Sequence, residues 1–283
     1  MIFIFILCAT FTLAAQQFQN NELYRFNAGP QYTYATAMIK NIKSIQHPNA
    51  LLLDVGCGDG NITTQLLPSL VPNGYVIGID SSESMIYQAN KAIKNSCLIH
   101  LECNSIEKYD TQDCFDIVTS FSTLHWVKNI EQALANIYNA LRTNGKGYFV
   151  IGAKYDEDKL VQAVEQQTCS SQWASYFKEE NVVDSYIYLY TQPEMQNLLE
   201  QAKFTVELCT TQDTKYTFTS IDSFCTWLEA ASPYSKNFND PLLHRAFCMD
   251  VVKTYATLWN QDHKSAITYY DCMLYVIVQK LVQ

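Results

Sequence analysis

Short apolar runs alternate with amphipathic stretches between about residues 50 and 152 of this 283-residue chain. The apolar runs predict five buried strands, which are Leu51–Val55, Tyr75–Ile79, Cys97–Leu101, Phe115–Phe121 and Gly147–Ile151. The amphipathic stretches between them predict three helices, which are Asn61–Leu70, Ser84–Lys94 and Ile130–Leu141. Strands that alternate with helices in this way indicate an α/β fold built on a doubly wound, mostly parallel sheet.

The pattern changes after residue 152. A helical and aromatic stretch runs from Lys154 to about Tyr190. A helix over Pro193–Ala202 and a strand from Phe204 to about Thr211 follow it. A helical stretch from Ser220 to about Gln261 and a β-rich stretch over Ile267–Leu281 come last. We expect the late strands to join the same sheet. Residues 21–283 would then form a single domain, with a helical cap largely from 154–190 and 220–261.

Composition and charge narrow the possible partners. Hydrophobic residues make up 48% of the chain and charged residues 17%, and the formal net charge is −9. An acidic chain is poorly suited to bind nucleic acid or an anionic membrane surface, since both require clustered Lys and Arg. The ten cysteines include no C-x-x-C pair. Cys97, His100 and Cys103 lie in or next to the predicted strand Cys97–Leu101, so we expect no metal site.

The first fifteen residues, Met1–Ala15, are almost entirely apolar. A membrane-spanning helix needs about 20 such residues, whereas a signal-peptide core is shorter. No Lys or Arg precedes the run. Residues 1–20 are therefore a signal or anchor segment, an extension packed on the domain, or the result of a misassigned start, and all three interpretations stay open.

A glycine-rich turn follows the first predicted strand. The segment Leu51–Asn61 contains Asp54 and then Gly56, Gly58 and Gly60, in the spacing G-x-G-x-G. Glycines at the carboxyl end of a parallel strand allow a sharp turn and close approach of a ligand. Asp80 ends the second strand, where a carboxylate commonly binds ribose hydroxyls. The acid before the first glycine favours a sulfonium or ammonium ligand and would repel a pyrophosphate.

With these motifs, Leu51–Gly152 resembles the class I S-adenosylmethionine-dependent methyltransferases. The resemblance implies a Rossmann-like, doubly wound, seven-stranded and mostly parallel sheet, with S-adenosyl-L-methionine as cofactor. It implies these cofactor-binding residues: Asp54, Gly56, Cys57, Gly58, Gly60, Asp80, Ser81, Met85, Asn104, Ser105 and Ser120. Asn104 replaces the usual aspartate beside the adenine, which implies weaker affinity for the cofactor, although its carbonyl can still accept a hydrogen bond.

A narrower resemblance is to the carboxyl methyltransferases of trans-aconitate, malonyl-carrier-protein and juvenile hormone acid. It rests on Leu124–Val127 after the fourth strand, on Glu22–Tyr24 followed by Gln31, and on Pro193–Glu207. It implies a small-molecule acceptor that carries a carboxylic acid. We expect a monomer or a homodimer. Two alternatives remain, which are N-, O- or C-methylation of another small molecule, lipid or quinone, and a non-catalytic cofactor-binding partner protein.

Three residues are candidates for the acceptor side. His125 could bond a substrate carboxylate, act as a base for an amine or hydroxyl, or close the loop structurally. Trp126 could form a wall of the acceptor pocket or belong to the core, and Gln31 could orient the acceptor carboxylate or be a surface amide. A carboxylate is already ionised at pH 7, so its methylation needs alignment and no general base.

Less specific candidates complete the prediction. Arg25 is the anion partner best placed by sequence, and Tyr186, Tyr188 and Tyr190 alternate along one face that could be core or acceptor pocket. Because S-adenosylmethionine is made in the cytosol, we expect a cytoplasmic catalytic body. Export or anchoring through Met1–Ala15 is the alternative.

Overall fold

A computed structural model describes residues 29–42, 48–93, 97–177 and 187–282. Four of the features named above lie outside the described residues: the apolar segment Met1–Ala15, Glu22–Tyr24, Arg25 and Tyr186.

Seven strands form one sheet. They are β1 Leu51–Val55, β2 Tyr75–Asp80, β3 Ile99–Cys103, β4 Phe115–Phe121, β5 Leu141–Gly152, β6 Thr205–Phe218 and β7 Ile267–Gln279. Their order is β3-β2-β1-β4-β5-β7-β6. The first five strands are parallel, and β7 is antiparallel to both of its neighbours. The predicted doubly wound, mostly parallel sheet is confirmed, and its order reverses between β1 and β4, where such sheets bind ligands.

The described residues contain eight α-helices. They are α1 Gly29–Ile42, α2 Asn61–Gln65, α3 Glu83–Ala92, α4 Ile130–Ala140, α5 Lys159–Thr168, α6 Gln192–Gln201, α7 Ile221–Ala231 and α8 Pro241–Leu258. Side-chain caps fix several of their starts. The Ser82 hydroxyl accepts the Met85 N–H at the start of α3, and Thr191 and Glu194 form a capping box on α6.

Each face of the sheet is buried by helices, as parallel strands require. Successive residues of β1 point to opposite faces, so Leu53 and Leu52 belong to different clusters. The cluster that contains Leu53 includes an apolar stripe from α4 and α6, formed by Ile130, Leu134, Ile137, Met195 and Leu199. The cluster that contains Leu52 includes residues of α1, namely Tyr34, Ala35, Met38, Ile39 and Ile42. This packing holds α1 against the sheet.

A third cluster is rich in aromatic side chains and joins α5, α7 and α8 to the two last strands. Its members include Trp173, Phe218, Phe224, Trp227, Phe247, Tyr255 and Tyr269. Phe218 and Tyr269 come from β6 and β7, so the helices inserted between these strands pack on the same sheet. Gly152 at the end of β5 pairs with Met273, so Tyr269 and the cluster around it lie beyond the carboxyl end of β5.

Several predicted boundaries are wrong. The fifth strand begins at Leu141 and not at Gly147, because Leu141 pairs with Phe115 of β4. The helix predicted over Asn61–Leu70 ends at Gln65, because Pro68 has no N–H to continue the helical hydrogen bonds. The third strand begins at Ile99, and Cys97 lies in a turn before it. Strand β6 extends to Phe218, since it pairs along the whole of β7.

Candidate active site

The glycine turn after β1 is folded back onto β2. The N–H groups of Gly56 and Cys57 both donate to the carbonyl of Ile79, at 2.8 and 3.0 Å. Gly56, Gly58 and Gly60 have φ of +76°, +55° and +75°, a region that strongly favours glycine. Apart from Gly58 and its two chain neighbours, none of the described residues lies within 4 Å of the position that a Cβ on Gly58 would take. The backbone at Gly58 therefore faces open space, where a ligand can approach it.

Asp80 links this turn to the next helix. Its Oδ2 accepts the N–H of Gly58 and its Oδ1 accepts the N–H of Ser82, both at 2.9 Å. The Asn104 N–H donates to the Asp80 carbonyl at 3.0 Å, which brings the end of β3 beside it. Burial raises the Asp80 pKa, and the two N–H donors oppose that rise. Each carboxylate oxygen has a second lone pair that can accept a ribose hydroxyl.

Asp54 lies deeper, between β1 and its neighbours. It is 3% exposed, and its carboxylate accepts hydrogen bonds from the hydroxyls of Thr63 at 2.6 Å and Thr119 at 2.8 Å. Burial raises its pKa to about 6, so the group is mostly ionised at pH 7. With both oxygens held by hydroxyl groups, its negative charge would act on a cationic ligand through space.

The remaining predicted cofactor residues differ in what they contact. The Cys57 thiol is buried against Gly78, and burial raises its pKa well above the ordinary value, so it is a thiol and not a thiolate. Gly60 caps α2 and Met85 is buried in α3, whereas Ser81 is exposed.

Two predicted serines have structural hydrogen bonds. The Ser105 hydroxyl accepts the Glu107 N–H at 3.3 Å and caps the 3₁₀ turn Ile106–Lys108. The Ser120 hydroxyl donates to the Val55 carbonyl at 2.9 Å inside the sheet, so its one proton joins β4 to β1.

His125 fastens the loop after β4 to the end of β5. It lies in the 3₁₀ turn Leu124–Trp126, and its Nδ1 accepts the Gly152 N–H at 3.0 Å. Its carbonyl accepts the Tyr188 N–H at 2.7 Å, and its ring centroid is 5.6 Å from that of the half-buried Trp126. Burial lowers the His125 pKa to about 4. The imidazole is therefore neutral at pH 7 and carries its proton on Nε2, because Nδ1 is an acceptor.

Gln31 contacts a helix of the aromatic cluster. It lies on α1, and its Oε1 accepts the indole N–H of Trp227 in α7 at 3.1 Å. Gln31 is half-buried, so it is not a fully solvated surface amide. Its NH₂ group can still donate two hydrogen bonds.

Two carboxylates beyond the end of β5 were not among the predicted site residues. The Tyr34 hydroxyl donates to Asp271 Oδ2 at 3.2 Å, and Asp158 caps α5 through the Leu160 and Val161 N–H groups. Burial and the nearby charge of Asp158 raise the Asp271 pKa to about 7. A signal was present in the sequence, since Asp271 is the single charged residue in the apolar run of β7.

Comparisons with known families agree with this geometry. Residues 46–223 match the family described as "Methyltransferase domain", which covers more than half of the chain. Together with the seven-stranded sheet and the glycine turn that faces Asp80, this match defines the class of protein. The chain belongs to the class I S-adenosylmethionine-dependent methyltransferases.

The similar curated proteins include O-methyltransferases. The chain is 29% identical over 165 residues to the juvenile hormone acid O-methyltransferase of Drosophila melanogaster, covering 54% of this chain and 53% of that enzyme. It is 32% identical over 96 residues to the malonyl-[acyl-carrier protein] O-methyltransferase of Bacillus cereus, covering 33% and 34%. The matched segments thus span about half, or less, of the length of these relatives.

Solved structures share the fold. Phosphoethanolamine N-methyltransferase 2 of Haemonchus contortus, in complex with phosphomonomethylethanolamine and S-adenosylhomocysteine, matches 98% of this chain and 61% of its own, with a TM-score of 0.60 and 14% identity. Geranyl diphosphate methyltransferase in complex with its S-adenosylmethionine cofactor matches 88% and 85%, with a TM-score of 0.54 and 11% identity. At these identities the likeness shows the fold alone.

The residues at the glycine turn fit the cofactor of this family. Open space at Gly58 admits a ligand close to the backbone, and the half-buried Asp80 carboxylate beside it can accept ribose hydroxyls. S-adenosylmethionine is the cofactor of this chain.

In the part of the chain that the structure describes, no helix is long and apolar enough to cross a membrane.

Proposed function

We propose that this protein transfers a methyl group from S-adenosylmethionine to the carboxylate of a small organic acid. The observation that carries the proposal is the state of His125, a neutral imidazole whose Nδ1 is occupied by the Gly152 N–H. Such a group donates from Nε2 and is a poor proton acceptor at pH 7. A carboxylate nucleophile suits this loop, because it needs donors for its oxygens and no base.

The roles of the residues follow from this assignment. S-adenosylmethionine supplies an activated methyl group on a positively charged sulfur. Gly58 and Asp80 hold the nucleoside, and the charge of Asp54 stabilises the cationic end through space. On the acceptor side, His125 Nε2–H and the NH₂ group of Gln31 donate to the carboxylate. Alignment and exclusion of water then account for the rate.

The names of two relatives support an acid acceptor. The Drosophila and Bacillus proteins are described as O-methyltransferases of juvenile hormone acid and of malonyl-[acyl-carrier protein]. Both descriptions name a group that contains a carboxylic acid. The matched segments span about half, or less, of those relatives, so the assignment of an acid acceptor rests mainly on the residues of this chain.

A second candidate is the methylation of an amine. It is favoured by Asp158 and Asp271, since two carboxylates beyond the end of β5 would attract an ammonium group. Asp271, with a pKa of about 7, could also accept the proton that an amine must lose before it attacks.

The test compares acids with amines of matched carbon skeleton. The protein is incubated with S-adenosylmethionine and each member of the panel, and the formation of S-adenosylhomocysteine is measured. We expect turnover with acids and none with the corresponding amines. Turnover with amines alone would favour the second candidate. Binding of S-adenosylhomocysteine without turnover on either panel would indicate a non-catalytic cofactor-binding protein.

A further inference from the structure

A hydrogen bond between two helices fixes the orientation of the Gln31 side chain. The indole Nε1 of Trp227 lies 3.1 Å from Oε1 of Gln31. An indole N–H can only donate, so the amide atom that faces it has to be the oxygen. The assignment of oxygen and nitrogen in Gln31 therefore follows from the chemistry of its partner. The NH₂ group points away from the indole.

Trp227 is itself held firmly. Its side chain is buried, and its ring centroid lies 5.1 Å from that of Tyr269 in β7 and 5.7 Å from that of Phe218 in β6. Phe224, one turn earlier in α7, adds a third ring at 5.8 Å. Aromatic contacts on several sides leave the indole N–H with a fixed direction. Gln31 consequently accepts a hydrogen bond from a rigid donor.

We propose that Trp227 is a positioning residue that sets acceptor specificity, by presenting the Gln31 amide to the acceptor with its NH₂ group forward. This inference rests on the proposed function and deepens it. An NH₂ group donates to carboxylate oxygens and offers no lone pair to an ammonium group. The pair Gln31 and Trp227 thus selects acids over amines, although Asp158 and Asp271 lie in the same part of the fold.

A double-mutant cycle tests whether Trp227 acts through Gln31. Trp227→Phe removes the indole N–H and keeps an aromatic ring, and Gln31→Ala removes the amide. We expect Trp227→Phe to raise the KM for an acid about 10-fold with kcat changed less than about 2-fold, as the loss of one oriented hydrogen bond implies. In the Gln31→Ala background the same substitution should change KM less than about 2-fold. Equal effects of Trp227→Phe in both backgrounds would overturn the inference.

Trp173→Phe is the matched control. Trp173 is also buried, and its indole N–H also donates to a side-chain oxygen, Oδ2 of Asp250, at 3.1 Å. This substitution removes the same kind of hydrogen bond from the same aromatic cluster without touching Gln31. We expect it to lower stability and to leave the KM for the acid unchanged. A similar KM increase in both tryptophan variants would mean that the effect is general loss of packing.

Gln31→Glu adds a readout of specificity. One carboxylate oxygen can still accept the Trp227 N–H, while the other replaces the NH₂ group and repels an acid. We expect turnover of acids to fall at least about 10-fold and the ratio of amine to acid turnover to rise. An unchanged ratio would contradict the role assigned to the NH₂ group.

The proposed function and this inference fail in distinguishable ways. If no acid is methylated by the wild-type protein, the proposed function fails and the preference for acids fails with it. The positioning of Gln31 is then judged by hydrogen exchange at the Trp227 indole, whose resonance is assigned from its absence in Trp227→Phe. Gln31→Ala should accelerate this exchange. An unchanged rate would show that the amide is not held by Trp227.

Discussion

Replacing His125 tests the state of the histidine on which the proposed chemistry depends. Its pKa is lowered from 6.5 to about 4 by burial, so the folded protein binds fewer protons than the unfolded chain below pH 6.5. A lowered pKa of a base means that stability is fully present above pH 6.5 and is lost as the pH falls toward 4. His125→Asn removes the titrating group and keeps an acceptor, since Asn Oδ1 can take the place of Nδ1 opposite the Gly152 N–H.

The magnitude follows from the two pKa values. One pKa unit corresponds to about 1.36 kcal/mol. The lowered pKa of His125 therefore destabilises wild type relative to His125→Asn by about 2 kcal/mol at pH 5, and by about 0.2 kcal/mol at pH 7. His125 is only 9% exposed, so solvent screening reduces this little. His244, whose pKa is also lowered to about 4, is present in both proteins and cancels from the difference.

The assay is urea unfolding followed by tryptophan fluorescence at pH 7.5, 6 and 5. We expect the stability difference between wild type and His125→Asn to change by about 2 kcal/mol across this range. His125→Phe is the second variant, which keeps a ring but leaves the buried Gly152 N–H without its acceptor, at a pH-independent cost of about 1–3 kcal/mol. Parallel pH curves for wild type and His125→Asn would mean that His125 titrates equally in the folded and unfolded states, and the neutral buried imidazole would have to be abandoned.

Three further predictions concern the cofactor turn and the acidic pair. Asp80→Asn should weaken S-adenosylhomocysteine binding by about 30-fold or more in calorimetric titration, since an amide cannot accept all the hydrogen bonds of the carboxylate; unchanged affinity would contradict the assignment. Gly56→Ala should cost about 3 kcal/mol of unfolding free energy, because its Cβ would lie 2.0 Å from Thr123. Gly58→Ala should cost only about 1–2 kcal/mol of unfolding free energy but weaken cofactor binding. A larger loss of stability in Gly58→Ala than in Gly56→Ala would contradict the geometry of the glycine turn. Asp271→Asn should stabilise the protein by about 1–3 kcal/mol more at pH 8 than at pH 5 in thermal unfolding. The reason is that the raised pKa of Asp271 makes its ionisation in the folded protein costly above pH 4. A stability difference between wild type and Asp271→Asn that does not vary with pH would contradict the burial of this group.

The fold was predictable because its hydrophobic pattern is strong. Strands β1 and β4 have the predicted bounds, and the apolar stripe of Ile130, Leu134 and Ile137 is buried as expected. The largest error lies where tertiary pairing overrides the local pattern. The polar second half of β6 shows no buried run, and it becomes a strand only because β7 pairs with it along its whole length. The division into a single domain with a helical cap stays a prediction, as do the oligomeric state and the compartment.

The candidate site was predictable where a motif is local in sequence. The turn Gly56–Gly60 and Asp80 meet because both follow strands that are neighbours in a parallel sheet. The acceptor side was less accessible, because its contacts join residues far apart in the chain. Nothing in the sequence near Gln31 indicates Trp227, 196 residues later, and nothing near Tyr34 indicates Asp271. The direction of the His125 hydrogen bond also depends on a partner far along the chain, Gly152, so the sequence left the base, donor and structural roles open.

The chemical form of the methylated product distinguishes a carboxylate acceptor from any other. The protein is supplied with S-adenosylmethionine that carries a labelled methyl group and with the panel of small carboxylic acids, and the products are then treated with mild alkali. An ester releases its label as volatile methanol, whereas a methyl group on nitrogen or carbon is retained. We predict release of the label from the product of at least one acid. Label that is transferred and then stays with the product would contradict methylation of a carboxylate.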